Sequence, residues 1–153
     1  MKDWKNMKIL IDTNIVLDVL LKRDSFYKSS LEILELAQKD GIDEFVSASA
    51  ITDIYYIANK QLHNKEIVSE LILNLLKIVH IAGINDEEIN YALKLGWKDF
   101  EDAVQYSSAT SIKADCIVTR NVLDYKYATI PVYEPKDALN IIKTSVKPNL
   151  KLV

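Results

Sequence analysis

Apolar residues come in short bursts along this chain, and most bursts end in polar groups suited to close a strand or open a helix. Met7-Lys8-Ile9-Leu10-Ile11 has the length of a buried strand and runs directly into Asp12-Thr13-Asn14. The spacing then becomes helical over Ile15-Val16-Leu17 and Val19-Leu20-Leu21, with Asn14 expected as the cap, until Arg23-Asp24-Ser25 interrupts it. A second helical repeat over residues 26–39 stops at Asp40-Gly41, and Glu44-Phe45-Val46-Ser47 reads as a strand. Ser49 is the expected cap of a helix reaching about Leu62, with Ile54, Ile57 and Ala58 on its core face. Asp53 then lies one turn into a helix that directly follows a strand.

Residues 65–76 carry Ile, Leu or Val at too many positions for one narrow stripe, so this helix is either deeply buried or part of a subunit interface. Residues 78–81 supply a third strand, and Asn85-Asp86-Glu87-Glu88 combines a cap with an acidic first turn for a helix ending at Leu95-Gly96. Another helix runs from Asp99 to about Lys113; its small residues, among them Ala103, Ser107 and Ser108, allow close approach to a sheet. Residues 116–119 and 130–133 read as the last strands, and Glu134-Pro135 opens a final helix through Ile142. Strands alternating with helices predict an α/β fold with a mainly parallel sheet covered on both faces. No linker or repeat divides the 153 residues, so one domain is expected over residues 7–144, with 1–6 and 145–153 as terminal extensions.

Composition narrows the class. With 49% hydrophobic and 27% charged residues, extended disorder is excluded. The single Cys116 cannot form an intrachain disulfide, which favours a reducing compartment. No apolar run reaches the roughly 20 residues of a membrane span, and the first one lacks a signal-peptide pattern; a cytoplasmic protein without membrane contact is expected. A net charge of -3 restricts any nucleic-acid contact to local patches, the candidates being Lys2, Lys5 and Lys8, then Lys22-Arg23, then Lys143, Lys147 and Lys151. Three glycines form neither nucleotide-binding fingerprint, which argues against a phosphate-cradling loop.

The chemistry is carried by acids at wide spacing: Asp12, Asp53, Asp99, Asp102 and Asp124, most of them expected at strand ends or helix starts. Hard divalent cations prefer such oxygen ligands and need neither His nor Cys. Each acid also has an ordinary structural role open to it: Asp12 and Asp99 as helix caps, Asp102 as an acid favouring a helix dipole, Asp53 as a solvated side chain, Asp124 as a turn cap. Thr13 and Thr119 suit either strand closure or the holding of a water. Arg120 suits either a substrate phosphate or, preferably, an ion pair with an acid. His63, His80 and Cys116 are read as structural, and the tyrosines as core or interface residues.

Four strings, Ile11-Asp12-Thr13-Asn14, Ser49-Ala50-Ile51-Thr52-Asp53-Ile54, Asp99-Phe100-Glu101-Asp102-Ala103, and Val118-Thr119-Arg120-Asn121 with Asp124-Tyr125, give the chain its clearest likeness. In their order and spacing it resembles the PIN-domain ribonucleases and is similar to the VapC-type toxins of prokaryotic toxin–antitoxin pairs, over residues 7–142. The resemblance implies a three-layer α/β/α Rossmann-like sandwich with its acids at the C-terminal edge of the sheet. It implies Mg²⁺- or Mn²⁺-dependent hydrolysis of RNA phosphodiester bonds, with Asp12, Asp53 and Asp102 catalytic and Asp99 and Asp124 completing the metal ligands. Thr13, Asn14, Thr119, Arg120 and Asn121 would position substrate or water, and Tyr125 lies near enough in sequence to touch RNA. A homodimer and a small protein antitoxin covering the acidic pocket are implied as partners. Two departures matter: Asp53 stands where Glu is common, and Asn121 where an acid is common, with Asp124 either replacing it or capping a turn. These favour one ion over two. The rival expectation is a catalytically weakened PIN-like module that binds RNA or protein without cutting.

Overall fold

The structure, a computed structural model, describes residues 6–146; Lys2, Lys5, Lys147 and Lys151 lie outside them. Five parallel strands, β1 (Met7–Ile11), β2 (Ile42–Ser47), β3 (His80–Ala82), β4 (Cys116–Val118) and β5 (Val132–Tyr133), form one sheet in the order β3-β2-β1-β4-β5. The connecting helices are α1 (Thr13–Leu20), α2 (Tyr27–Glu35), α3 (Ala48–Leu62), α4 (Lys65–Leu75), α5 (Asp86–Leu95), α6 (Phe100–Ser111) and α7 (Pro135–Val146). This is the α/β/α sandwich anticipated from the alternation of strands and helices. Among the described residues no helix is long and apolar enough to cross a membrane.

The central strand explains the layering. Met7, Ile9 and Ile11 point into a core shared with α1, α2, α3, α4 and α7, while Leu10 points into a second core with Tyr106, Ala109 and Ile117. Burial on both faces is why β1 reads as a continuous apolar run instead of alternating. The buried serines of α6 meet carbonyls, Ser107 Oγ donating to Glu88 O at 2.7 Å and Ser108 Oγ to Gln105 O at 2.7 Å, so their small size is combined with satisfied hydroxyls.

The starts of α1 and α3 differ from the sequence reading for one physical reason: the extended residue at the strand end, Asp12 just after β1 and Ser47 at the end of β2, serves as the cap. Asp12, at φ -71 and ψ 153, accepts from Thr13 N at 2.8 Å and caps α1, a role expected of Asn14. Ser47, not Ser49, caps α3 by accepting from Ala50 N at 3.2 Å. The expected helix over residues 26–39 is shorter, with a 3-10 turn over Leu36–Gln38 after α2, and α7 continues past Ile142 to Val146. The capping box of Asn85 and Glu88 stands as anticipated. The two apolar helices part company: α2 sinks its Ile33 and Leu34, whereas α4 buries Val68, Ile72 and Leu75 but leaves Ile67 and Leu73 exposed.

Glu44 is a surprise of β2. It shares the face of Ile42 and Val46, is fully buried, and among the described residues neither carboxylate oxygen has a hydrogen-bond partner. Burial holds its pKa well above the usual 4.5. The folded state therefore keeps a proton that the unfolded chain releases, and the resulting stability, complete below the unfolded value, is lost as pH rises toward the folded one. Glu44→Leu removes both the proton linkage and the unpaired polar group, a change of about 1–3 kcal/mol. Thermal unfolding at about pH 8 is expected to show a gain of several degrees, shrinking toward about pH 5. A gain that is the same at both values would show that folding does not change the protonation of Glu44 between them.

Candidate active site

The strand order reverses at β1, and in open α/β sheets such a reversal leaves a crevice at the C-terminal ends of the strands. Asp12 leaves β1 at that point. Its Oδ1 accepts from Thr13 N at 2.8 Å and from Gln105 Nε2 at 3.1 Å, and its Oδ2 accepts from Thr119 Oγ1 at 2.7 Å. The main chain is tied as well, Asp12 N donating to Val118 O at 3.0 Å. Thr119 Oγ1 in turn accepts from Asn121 N at 3.0 Å, so the residues after β4 brace those after β1. A buried carboxylate with donors on both oxygens is fixed in direction.

A second, separate network backs this one. Asp18 of α1 is fully buried and pairs with Arg120 Nε at 2.9 Å and Arg23 Nη1 at 3.5 Å, while Ser30 Oγ donates to it at 3.0 Å. Arg23 Nη1 also donates to Asn14 Oδ1 at 3.3 Å, and the Arg120 guanidinium lies 3.8 Å above the Phe26 ring. Arg120 thus takes the ion-pair role of the two open to it, and Asn14 is held by Arg23.

Around Asp12 the charges that act on Asp102 are all carboxylates. Asp99 caps α6, accepting from Asp102 N at 3.1 Å, which sets Asp102 one turn into that helix. Asp124 sits in a 3-10 turn over Val122–Tyr125. Burial, then the carboxylates of Asp99, Asp12, Asp124 and Glu101, push the Asp102 pKa up to about 7. The buried Tyr125 phenol is raised well above its usual range by burial and then by Asp12, Asp102 and Asp124. Asp99, Asp102 and Asp124 line a cleft of about 760 Å³.

The PIN domain family model matches residues 8–123. The chain is a PIN-domain protein. Solved structures share its fold. A toxin–antitoxin complex from Klebsiella pneumoniae is 23% identical, covering 83% of this chain and 97% of that one at a TM-score of 0.62. VapBC-1 from nontypeable Haemophilus influenzae is 16% identical, covering 85% and 99% at a TM-score of 0.66. Mycobacterium tuberculosis VapC20, a sarcin-ricin loop cleaving toxin, is 13% identical, covering 71% and 86% at a TM-score of 0.59. At these identities the likeness is one of fold. No curated protein sequence matches the chain.

In this PIN domain the structure brings Asp12, Asp99, Asp102 and Asp124 into one electrostatic group, with Thr13 and Thr119 bound into it through Gln105 and Asp12. Asp53, half-buried on α3, is not among the carboxylates acting on Asp102. Asn121 contributes its backbone, accepting from Asp124 N at 3.0 Å and donating to Thr119. The sequence reading missed Gln105, Glu101 and Asp18. Gln105 stands three residues after Asp102, a spacing that projects both to one side of α6, and Asp18 interrupts an apolar helix where an unpaired charge is costly.

The donor set fits a hard cation. Among the described residues none of the four carboxylates has an ion-pair partner within 4.0 Å, and a bound dication would offset the repulsion that holds Asp102 near 7. No three His, Cys, Asp or Glu side chains among the described residues converge closely enough to enclose an ion by themselves. Mg²⁺ characteristically uses one or two carboxylates and keeps several waters, so an open arrangement of this kind is compatible with it.

Proposed function

We propose that this protein is a divalent-metal-dependent endoribonuclease that serves as the toxin of a toxin–antitoxin pair. The observation that carries the reading is the group Asp12, Asp99, Asp102 and Asp124, without ion-pair partners among the described residues, gathered at the strand-order reversal of a PIN domain with the last three lining a cleft. Asp12 and Asp102 are assigned to Mg²⁺ or Mn²⁺, with Asp53, Asp99 and Asp124 contributing through water. When bound, the ion supplies Lewis-acid polarisation of a phosphodiester and offsets charge on the leaving oxygen. Gln105 and Thr119 keep the Asp12 carboxylate in its working direction, and Thr13 and the Asn121 segment orient water or substrate. With no histidine lining the cleft, the proton of the attacking water passes to a carboxylate of the group. Structural neighbours solved as toxin–antitoxin complexes support a small protein antitoxin as partner. The exposed Tyr56 of α3 and Ile67 and Leu73 of α4 support a homodimer.

The test is Mn²⁺-dependent cleavage of a mixed cellular RNA pool, with a chelator control. Cleavage that stops on chelation is the expected result; intact RNA with folded protein and Mn²⁺ present would refute the reading. Binding should also stabilise the fold, by about 2.7 kcal/mol at a hundredfold excess over Kd. That corresponds to a rise of roughly 5–10 °C in melting temperature for a domain of this size. Asp102→Asn is expected to lose most of that rise, whereas an equal rise in the variant would remove Asp102 from the ion.

A further inference from the structure

The cleft lined by Asp99, Asp102 and Asp124 also carries residues that metal chemistry does not use. Phe100, Leu123 and Tyr127 line it while 45%, 82% and 69% exposed, and Lys98 and Lys126 stand with them. Single exposed apolar residues are ordinary, but three gathered in one concavity indicate a surface that binds something. Trp97, in the same lining, is held firmly: it stacks on Tyr106 with ring centroids 4.9 Å apart and meets Tyr125 edge-on at 6.2 Å. Lys126 Nζ lies 5.0 Å from the Tyr127 ring centroid, so a flat apolar surface and a cation are presented together.

Three features select the occupant. The rings and Leu123 suit a flat, amphipathic body. The lysines suit an anion, which Asp99, Glu101, Asp102 and Asp124 in the same lining would repel without a cation between them. The volume of about 760 Å³ admits more than a metal with its waters. An unpaired nucleobase with its flanking phosphates meets all three conditions, since bases stack on exposed aromatic faces whatever their sequence while Lys tracks the backbone. We propose that the cleft between the start of α6 and the turn at Val122–Tyr125 is a subsite for an unpaired nucleobase next to the phosphodiester held at the carboxylates. Tyr127 and Phe100 provide the stacking surfaces, Leu123 packs against the edge of the base, and Lys98 and Lys126 meet the neighbouring phosphates. The proposal rests on the ribonuclease reading for its substrate, and it makes the enzyme selective for single-stranded segments.

The experiment follows binding separately from cutting. Short single-stranded RNAs with 2-aminopurine placed at successive positions, or with one abasic position, are titrated into the protein in Ca²⁺. The wild type is expected to quench 2-aminopurine at one position and to lose about tenfold in affinity when that position is abasic, the scale of one stacked base. Tyr127→Ala with Leu123→Ser, both at exposed sites, should lose the quench and the same tenfold affinity, and should be indifferent to the abasic position. Asp12→Asn should keep the quench while losing cleavage. Quenching without cleavage by the wild type would remove the ribonuclease reading and leave the subsite standing. Cleavage with no quench at any position, or with equal affinity in the double variant, would overturn the subsite, as would a cleft that takes only a protein partner. Failure to bind RNA at all would overturn both.

Discussion

Asp12→Asn is expected to leave the fold standing and to lower metal-dependent RNA cleavage by a factor of a hundred to about a thousand, the scale of losing one preorganised charge-stabilising group. Asparagine is as good a helix cap as aspartate, so α1 keeps its start. The Thr119 hydroxyl, which donates to Oδ2, can turn to accept from an amide in the same place. What the substitution removes is one negative charge at the point where β1 ends. A second readout separates charge from shape. Because the Asp12 carboxylate is one of those raising Asp102, its loss should lower the Asp102 pKa from about 7, which carboxyl-carbon NMR titration would register. Cleavage within a few-fold of wild type, with Asp102 unmoved, would show that Asp12 is a cap and nothing more.

Arg120→Met is expected to cost much of the stability of the fold. Methionine keeps most of the stem over Phe26 but takes the closer of two cations from the fully buried Asp18. Removing one partner of a buried pair costs about 3–5 kcal/mol, and the remaining Arg23 contact places this case at the low end. A fall of roughly 10 °C in melting temperature is expected for a domain of this size. Adding Asp18→Asn to Arg120→Met should restore much of it, because the uncompensated charge is then gone. A double variant less stable than Arg120→Met would mean that Asp18 contributes through its other bonds. Cleavage should fall with the single change too, since Arg120 directly follows Thr119, whose hydroxyl donates to the Asp12 carboxylate.

What could be read from the sequence was whatever depends on neighbours along the chain. The run ending at Asp12, the box of Asn85 and Glu88, and Asp99 as the start of α6 all declare themselves through local spacing and capping chemistry. The caps of α1 and α3 were misplaced by two residues because Asn14 and Ser49 are chemically as suitable as Asp12 and Ser47; only the extended backbone of the strand end chooses between them. Gln105 was hidden because its role depends on Asp12, 93 residues earlier. Asp18 and Glu44 were hidden for the opposite reason. A carboxylate in an apolar run is ordinarily turned to water, and here the fold encloses one with two arginines and the other with none. The two-residue β5 exists as a strand through its pairing with β4.

The bonds that orient Asp12 have a consequence for the birth of the protein. In two of them one end, Asp12, leaves the ribosome well before the other, at Gln105 or Thr119, 93 or 107 residues later. Such distant partners meet only after most of the chain has collapsed, because closing a loop of that length precedes any reward from the contact. A partly synthesised copy therefore has its acids but not their arrangement. For a protein whose proposed target is RNA, the long span works as a delay: the messenger and the ribosome making it are out of danger until the last strands have docked.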